Sequence, residues 1–229
     1  LALTVSTPLD SAQLDAARTR LADGGYAWVV FSSWRAARAV VSGLPRARSL
    51  GTRIAAVGEA TARWISDHAG VSVDLTGAGS AAALLECFPA AASGARPVLI
   101  PRSAAAPDTL PDGLRALGWS VEAVDAYTTT PADVGDIDAD IAGNFRAGCY
   151  DAVVLTASSQ ARALPPLLGP PPASTRVVTI GAPTAATARG QGIAVAAQAS
   201  SPTPDAIVRA LIDALDRPAQ ADAPEERDS

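Results

Sequence analysis

Tyr26-Ala27-Trp28-Val29-Val30-Phe31-Ser32-Ser33 and Tyr150-Asp151-Ala152-Val153-Val154-Leu155-Thr156-Ala157 follow one pattern: a tyrosine, a short apolar run, then small residues suited to a turn. A continuous apolar run of this length, bounded by turn residues, predicts a strand buried on both faces of a sheet. The likeness continues downstream at a fixed offset. Ile54-Ala55-Ala56-Val57-Gly58-Glu59-Ala60-Thr61-Ala62 parallels Val177-Val178-Thr179-Ile180-Gly181-Ala182-Pro183-Thr184-Ala185, and Gly70-Val71-Ser72-Val73 parallels Gly192-Ile193-Ala194-Val195. The last matched pieces begin at Ser80 and Thr203, each a good N-cap before an apolar helical pattern. A lone Gly-x-x-Thr-Ala is a routine strand-to-helix turn, but matched landmarks in one order point to duplication.

Each copy therefore predicts strand, small-polar turn, helix, strand, Gly-x-x-Thr-Ala turn and helix, which is the pattern of a parallel α/β sheet. Two copies predict two α/β domains. The first copy continues with a strand at 97–101, a helix at 109–118 ended by Gly118 and a strand at 120–127, while the second has no such continuation. The expected boundaries are a hinge strand at 1–7 closing an incomplete first domain, an inserted α/β domain at 8–126, a second hinge strand at 127–132, and the rest of the first domain at 133–216. Residues 217–229, rich in Pro, Ala and acids, are expected to form a disordered tail. The missing continuation and the Leu1 start predict that the chain is the C-terminal part of a longer polypeptide, with fewer strands in one domain than in the other.

A chain of 229 residues with 48% hydrophobic and 18% charged residues can bury one or two cores. It contains no apolar run of the length of ~20 residues that a bilayer span needs, and Leu1-Ala2-Leu3-Thr4-Val5 lacks the basic start of a signal peptide. A cytoplasmic location is expected, with no membrane partner. All 18 basic residues are arginine, so a Schiff-base lysine, a pyridoxal-phosphate lysine and a Walker A loop are excluded together. A net charge of −5 argues against a nucleic-acid partner. Cys87 and Cys149 have no Cys or His neighbour at metal-ligand spacing and read as ordinary packed apolar residues, and His68 lies in a helical stretch with a surface or packing role. No metal site is expected. Any anionic ligand must be held locally, by backbone N–H groups at helix N-termini and a few placed arginines.

Val29-Val30-Phe31-Ser32-Ser33, Val57-Gly58-Glu59-Ala60-Thr61-Ala62, Tyr127-Thr128-Thr129, Tyr150 to Ser158, Ile180 to Ala185 and Ser201-Pro202-Thr203-Pro204, in this order and spacing, resemble the uroporphyrinogen-III synthase family. The resemblance implies two flavodoxin-like α/β domains with parallel sheets, joined by a two-stranded β-ladder hinge, with one domain inserted in the other. It implies a cofactor-free, cyclising lyase that closes hydroxymethylbilane, a linear tetrapyrrole with eight carboxylates, into uroporphyrinogen III. Loss of the terminal hydroxyl gives an azafulvene, and a spiro intermediate inverts the last pyrrole. Two departures stand out. The family commonly continues the first strand turn with Asn-Gly, where this chain has Trp34-Arg35-Ala36, and it begins with a strand-helix-strand unit ahead of the position of Leu1.

By that resemblance Tyr127 and Thr184 are the side chains nearest the chemistry, with Tyr127 hydrogen-bonding or protonating the departing hydroxyl. Expected substrate contacts are the turns at Ser32-Ser33, Gly58 with Thr61, Thr156 with Ser158, and Gly181 with Pro183. Arg102 and Ser103, after the strand at 97–101, complete the set. Ordinary N-capping explains Ser32, Thr61 and Ser158 equally well one by one. The chain is expected to act as a monomer. Two other functions fit the same fold: a non-catalytic tetrapyrrole or anion sensor, and a two-domain solute binder, which the missing signal peptide disfavours.

Overall fold

Buried short strands need partners on both sides, and this requirement organises the chain. The structure, a computed structural model, describes residues 1–216. The elements run β1 (Thr4–Pro8), α1 (Ala12–Ala22), β2 (Trp28–Phe31), α2 (Trp34–Val40), α3 (Leu44–Ser49), β3 (Arg53–Ala56), α4 (Glu59–Ala69), β4 (Leu75–Thr76), α5 (Ala81–Cys87), β5 (Val98–Ser103), α6 (Thr109–Ala116) and β6 (Val121–Pro131). They continue with α7 (Ala139–Arg146), β7 (Ala152–Leu155), α8 (Ser158–Leu168), β8 (Arg176–Thr179), α9 (Ala182–Gly190), β9 (Ala197–Gln198) and α10 (Pro204–Asp216). The fold is mixed α/β with parallel sheets.

The chain divides into two compact units, one of Ser6–Thr129 and one of Leu1–Val5 with the chain from Thr130 onward. The division falls inside β1 and inside β6, which are neighbours in a sheet of order β1-β6-β5-β2-β3-β4. Leu9 N–H donates to Ala126 and Ala132 N–H to Leu3, so these two strands run antiparallel. The sequence separates a strand at 120–127 from an extended stretch at 127–132, whereas the structure has one eleven-residue strand through both. The expected tail at 217–229 lies outside the described residues.

In the Ser6–Thr129 unit, β2 pairs in parallel with β3 on one side and β5 on the other, and all four of its residues are buried. Successive side chains point to opposite faces of a strand. Val29 and Phe31 accordingly join Leu14, Leu21, Val40 and Ile65 from α1, α2 and α4, while Trp28 and Val30 join Leu84, Phe88, Leu114 and Trp119 around α5 and α6. Opposite β5, β6 carries a bulge: Arg102 faces Asp125 but Ser103 faces Tyr127, with Ala126 as the extra residue. A bulge of this kind re-aims the residues that follow it.

The second unit repeats the theme with three parallel strands in the order β7-β8-β9. Phe145, Leu155, Leu164 and Ile193 pack in one core, and Val178, Ala199, Ala206 and Ala210 in another. Among the described residues the two sheets have six and three strands. Ser80 caps α5 by accepting from Ala83 N–H, and Thr203 accepts from Ala206 N–H at the start of α10, again as expected. One packing expectation is corrected: Cys87 and Cys149 are both exposed, because each sits at the outer end of a helix or its exit turn rather than on an apolar face.

Thr179, the last residue of β8, is fully buried, and among the described residues its hydroxyl has no hydrogen-bond partner. An unpaired buried hydroxyl costs about 1–3 kcal/mol, and a valine of the same shape carries none of that penalty. Thr179→Val is therefore expected to raise the unfolding free energy by about 1 kcal/mol in urea titration; a loss of stability would show that this hydroxyl is satisfied.

Candidate functional site

In each unit the expected site residues cluster where parallel strands give way to helices, with Arg102 and Ser103 as the last residues of β5, Thr61 and Thr184 in the first turns of α4 and α9, and Tyr127 inside β6. In an α/β sheet the turns after the strands begin helices, whose first N–H groups have no partner within the helix.

In the Ser6–Thr129 unit, Ser33 caps α2 with its hydroxyl, which accepts from Ala36 N–H at 3.3 Å. The same oxygen lies 3.0 Å from the Tyr127 hydroxyl, and either can donate. Tyr127 is half-buried at the far side of the β6 bulge, and its carbonyl accepts from Ala104 N–H. Ser103 is its register partner on β5, so Ser33, Ser103 and Tyr127 are brought together while Ser32 is exposed beside them. Thr61 is buried within the first turn of α4, and the cap of that helix is Gly58, with no side-chain capping bond.

Arg102 is differently engaged from what its position at a strand end suggests. Its guanidinium meets Asp108 at 2.6 Å and Asp125 at 3.4 Å, and its side chain is only 18% exposed. The hydrogen bond it donates to Asp108, ahead of the two carboxylates' charge, holds its pKa above the usual arginine value. A ligand carboxylate would compete with two internal acids there.

In the second unit the starts of α8 and α9, like that of α4, have no side-chain capping bond. Ala157 caps α8, so Ser158 is its first helical residue rather than its cap. Gln160 folds back so that its carbonyl oxygen accepts from Thr156 N–H at 2.7 Å and from the Thr156 hydroxyl at 3.1 Å. Gly181 caps α9 with extended backbone, Pro183 follows in the first turn, and Thr184 is 4% exposed.

The two Gly-x-x-Thr-Ala turns differ in one respect that bears on ligands. A Cβ on Gly58 would lie 3.2 Å from the Gly79 backbone, whereas a Cβ on Gly181 would meet nothing within 4 Å. A side chain at the first would crowd the Gly79 backbone. The second leaves bare backbone with open space above it.

Sequence reasoning missed the residues that surround Tyr127. A cavity of about 220 Å³ is lined by Ser6, Arg18, Trp34, Arg35, Arg38 and Tyr127, among others. The available signal was Arg35 and Arg38, three residues apart directly after a capping serine, which puts both on one helix face. Among the described residues no group of His, Cys, Asp or Glu could hold a metal ion, and no helix is long and apolar enough to cross a membrane.

The sequence matches the family model described as HEM4, uroporphyrinogen-III synthase HemD, over residues 2–209. Among solved structures, the uroporphyrinogen-III synthetase of Helicobacter pylori is similar with a TM-score of 0.63 at 19% identity, covering 93% of this chain and 91% of that one. A mutant uroporphyrinogen III synthase of the extremely thermophilic bacterium Thermus thermophilus is similar with a TM-score of 0.60 at 16% identity, covering 93% and 87%. At these identities the two structures speak for the fold. No curated protein matches the chain significantly.

The contrast between the glycine turns is testable. Where the native backbone suits alanine, Gly→Ala stabilises by about 0.4–1 kcal/mol, and where a Cβ crowds backbone it destabilises. Gly181→Ala is expected to hold or raise the urea midpoint while raising the KM of the chain's reaction several-fold, because the new methyl occupies the ligand's approach. Gly58→Ala is expected to lower the midpoint. An unchanged KM for Gly181→Ala would show that no ligand approaches that backbone.

Proposed function

This chain belongs to the uroporphyrinogen-III synthase family, and we propose how its residues serve the family's reaction: closure of hydroxymethylbilane to uroporphyrinogen III with inversion of the terminal pyrrole and loss of water. The match over residues 2–209 carries the assignment. It spans both units and every turn described above.

In this proposal the terminal hydroxyl of the bilane leaves as water after accepting a proton, and the azafulvene so formed is attacked by the far pyrrole. A spiro intermediate then opens and recloses, so the last ring is inverted and no redox change occurs. Because the azafulvene forms readily and unassisted closure gives the wrong isomer, the protein's main contribution is to hold a productive fold of the substrate. Tyr127 supplies the proton or hydrogen bond to the departing hydroxyl. Its hydrogen bond to Ser33 and its place on a cavity support that role. Thr184 positions the substrate, and the N–H groups near Gly58, Ser158, Gly181 and Pro183 meet carboxylates, as the uncapped helix starts of α4, α8 and α9 support. Ser32, Ser33, Thr61, Ser103 and Thr156 line the approach, with Arg102 as a secondary cation.

The finer architecture belongs to the same proposal: two flavodoxin-like units, with β1 and β6 as the ladder that carries the chain from one to the other. The enzyme works in the cytoplasm as a monomer, without metal or organic cofactor, and takes neither nucleic acid nor membrane as a partner.

A coupled assay that generates hydroxymethylbilane, followed by isomer analysis, tests the assignment: isomer III must form in excess of spontaneous isomer I. Formation of isomer I alone would favour the tetrapyrrole sensor. Acid catalysis contributes typically ~10²–10⁴-fold, and a leaving group that departs readily puts Tyr127→Phe at the low end, about 10²-fold in kcat, with the circular dichroism unchanged. Full rate in single turnover at saturation would make the tyrosine a packing residue.

A further inference from the structure

We propose that Arg35 and Arg38, with the ring of Trp34, form the subsite that takes one carboxylate-bearing pyrrole arm of the linear tetrapyrrole beside Tyr127. The inference rests on the substrate assigned above and adds side chains that no resemblance supplies, at the point where Trp34-Arg35-Ala36 departs from the family's usual turn.

The charge balance comes first. The chain carries 23 acidic residues against 18 arginines, and Arg18, Arg20, Arg46, Arg48, Arg63, Arg102 and Arg115 each lie within 4.0 Å of a carboxylate. Arg18, on the same cavity, is already engaged: it meets Asp15 at 2.8 Å, and its Nε donates to the Ala39 carbonyl at 2.9 Å. Arg35 and Arg38 have no carboxylate partner among the described residues. Two like charges three residues apart on a helix repel, a cost that an anion between them reverses.

Positioning comes second. The Arg35 guanidinium lies over the Trp34 ring at 4.7 Å, which limits the orientations of its planar donor fork before any ligand arrives. Trp34 itself is backed by Trp64 at 5.9 Å, and Trp64 is stacked on His68 at 4.2 Å. This aromatic row joins α2 to α4 and steadies the platform. Trp34 remains 37% exposed, which leaves ring surface for a pyrrole.

Size comes third. At about 220 Å³ the cavity is smaller than the ~300–1,000 Å³ of a pocket that encloses a drug-sized ligand. It fits one arm of a long substrate. Its polar rim includes Ser6 and Tyr127, so an arm anchored there leaves the rest of the chain beside the hydroxyl assigned to leaving-group activation.

The test is steady-state kinetics of the full chain with hydroxymethylbilane, scored as isomer III, for wild type, the double variant Arg35→Gln/Arg38→Gln and the charge-retaining Arg35→Lys/Arg38→Lys. Exposed ion pairs are individually weak, so the glutamine variant is expected to raise KM about tenfold with kcat within about twofold. Its KM should also lose most of the wild-type rise with ionic strength, since screening acts on those charges. The lysine variant should recover most of the loss. A glutamine variant with wild-type KM and salt dependence overturns the proposal, and so does a lysine variant no better than the glutamine one, because shape and not charge would then matter. These outcomes presuppose an active wild type; a wild type that makes no isomer III would instead sink the assignment of the reaction.

Discussion

The four residues of β2 are buried on both faces, and the whole Ser6–Thr129 unit is arranged to meet that demand. A strand so short gains too little from its own hydrogen bonds to stand alone. It is held by parallel partners on each edge and by two separate apolar layers, with Val29 and Phe31 committed to one and Trp28 and Val30 to the other. Because its side chains are all spent on packing, the strand has chemistry to offer only where it ends. The residues just past Phe31 are therefore the first that can face a ligand, and Ser33 is the first whose hydroxyl reaches Tyr127.

The same constraint separates charge that counts from charge that is merely present. Arg102 lies at the C-terminal end of β5 and Arg35 on the helix that follows β2, so both stand near the end of a buried strand. Arg102 lies where the chain also brings Asp108 and Asp125, so its cation is answered from within. Among the described residues Arg35 stacks on Trp34 and has no carboxylate partner, so it is oriented without being neutralised. Recognition of a polyanion by an acidic, lysine-free protein thus depends on where acids are kept away as much as on where arginines are placed.

The repeat, the parallel α/β class and the turn-borne site were legible because they rest on local signals: apolar runs bounded by small residues, recurring in one order. What was not legible rests on pairings distant in sequence. Nothing near Arg102 in the sequence announces Asp125, twenty-three residues on. Single-residue boundaries were also out of reach: Ser33 and not Ser32 caps α2, and Ala157 and not Ser158 caps α8, because adjacent small residues offer the same chemistry and backbone geometry decides between them. Helix α1 escaped for another reason. Its buried contacts are Leu14, Ala17 and Leu21, set among further alanines and arginines, so its apolar face contrasts little with its exposed one. The bulge at Ala126 leaves no composition signal, yet it is what puts Tyr127 opposite Ser103.

Each unit has two similar strand-to-helix turns, and the units differ in how they present them. In the Ser6–Thr129 unit, Gly58 is pressed against Gly79 and the charged residues sit on α2, so that what projects from its turns is side chain. In the other unit no arginine begins α8 or α9, Gln160 ties down Thr156, and Gly181 stands clear of all neighbours, so that what its turns offer is backbone. Guanidinium groups grip a carboxylate strongly but lose their grip in salt, whereas N–H groups at a helix start bind by fixed dipoles that need no side-chain ordering. The two units thus present a carboxylate with different kinds of contact, placed guanidinium groups on α2 in one and bare helix starts at α8 and α9 in the other.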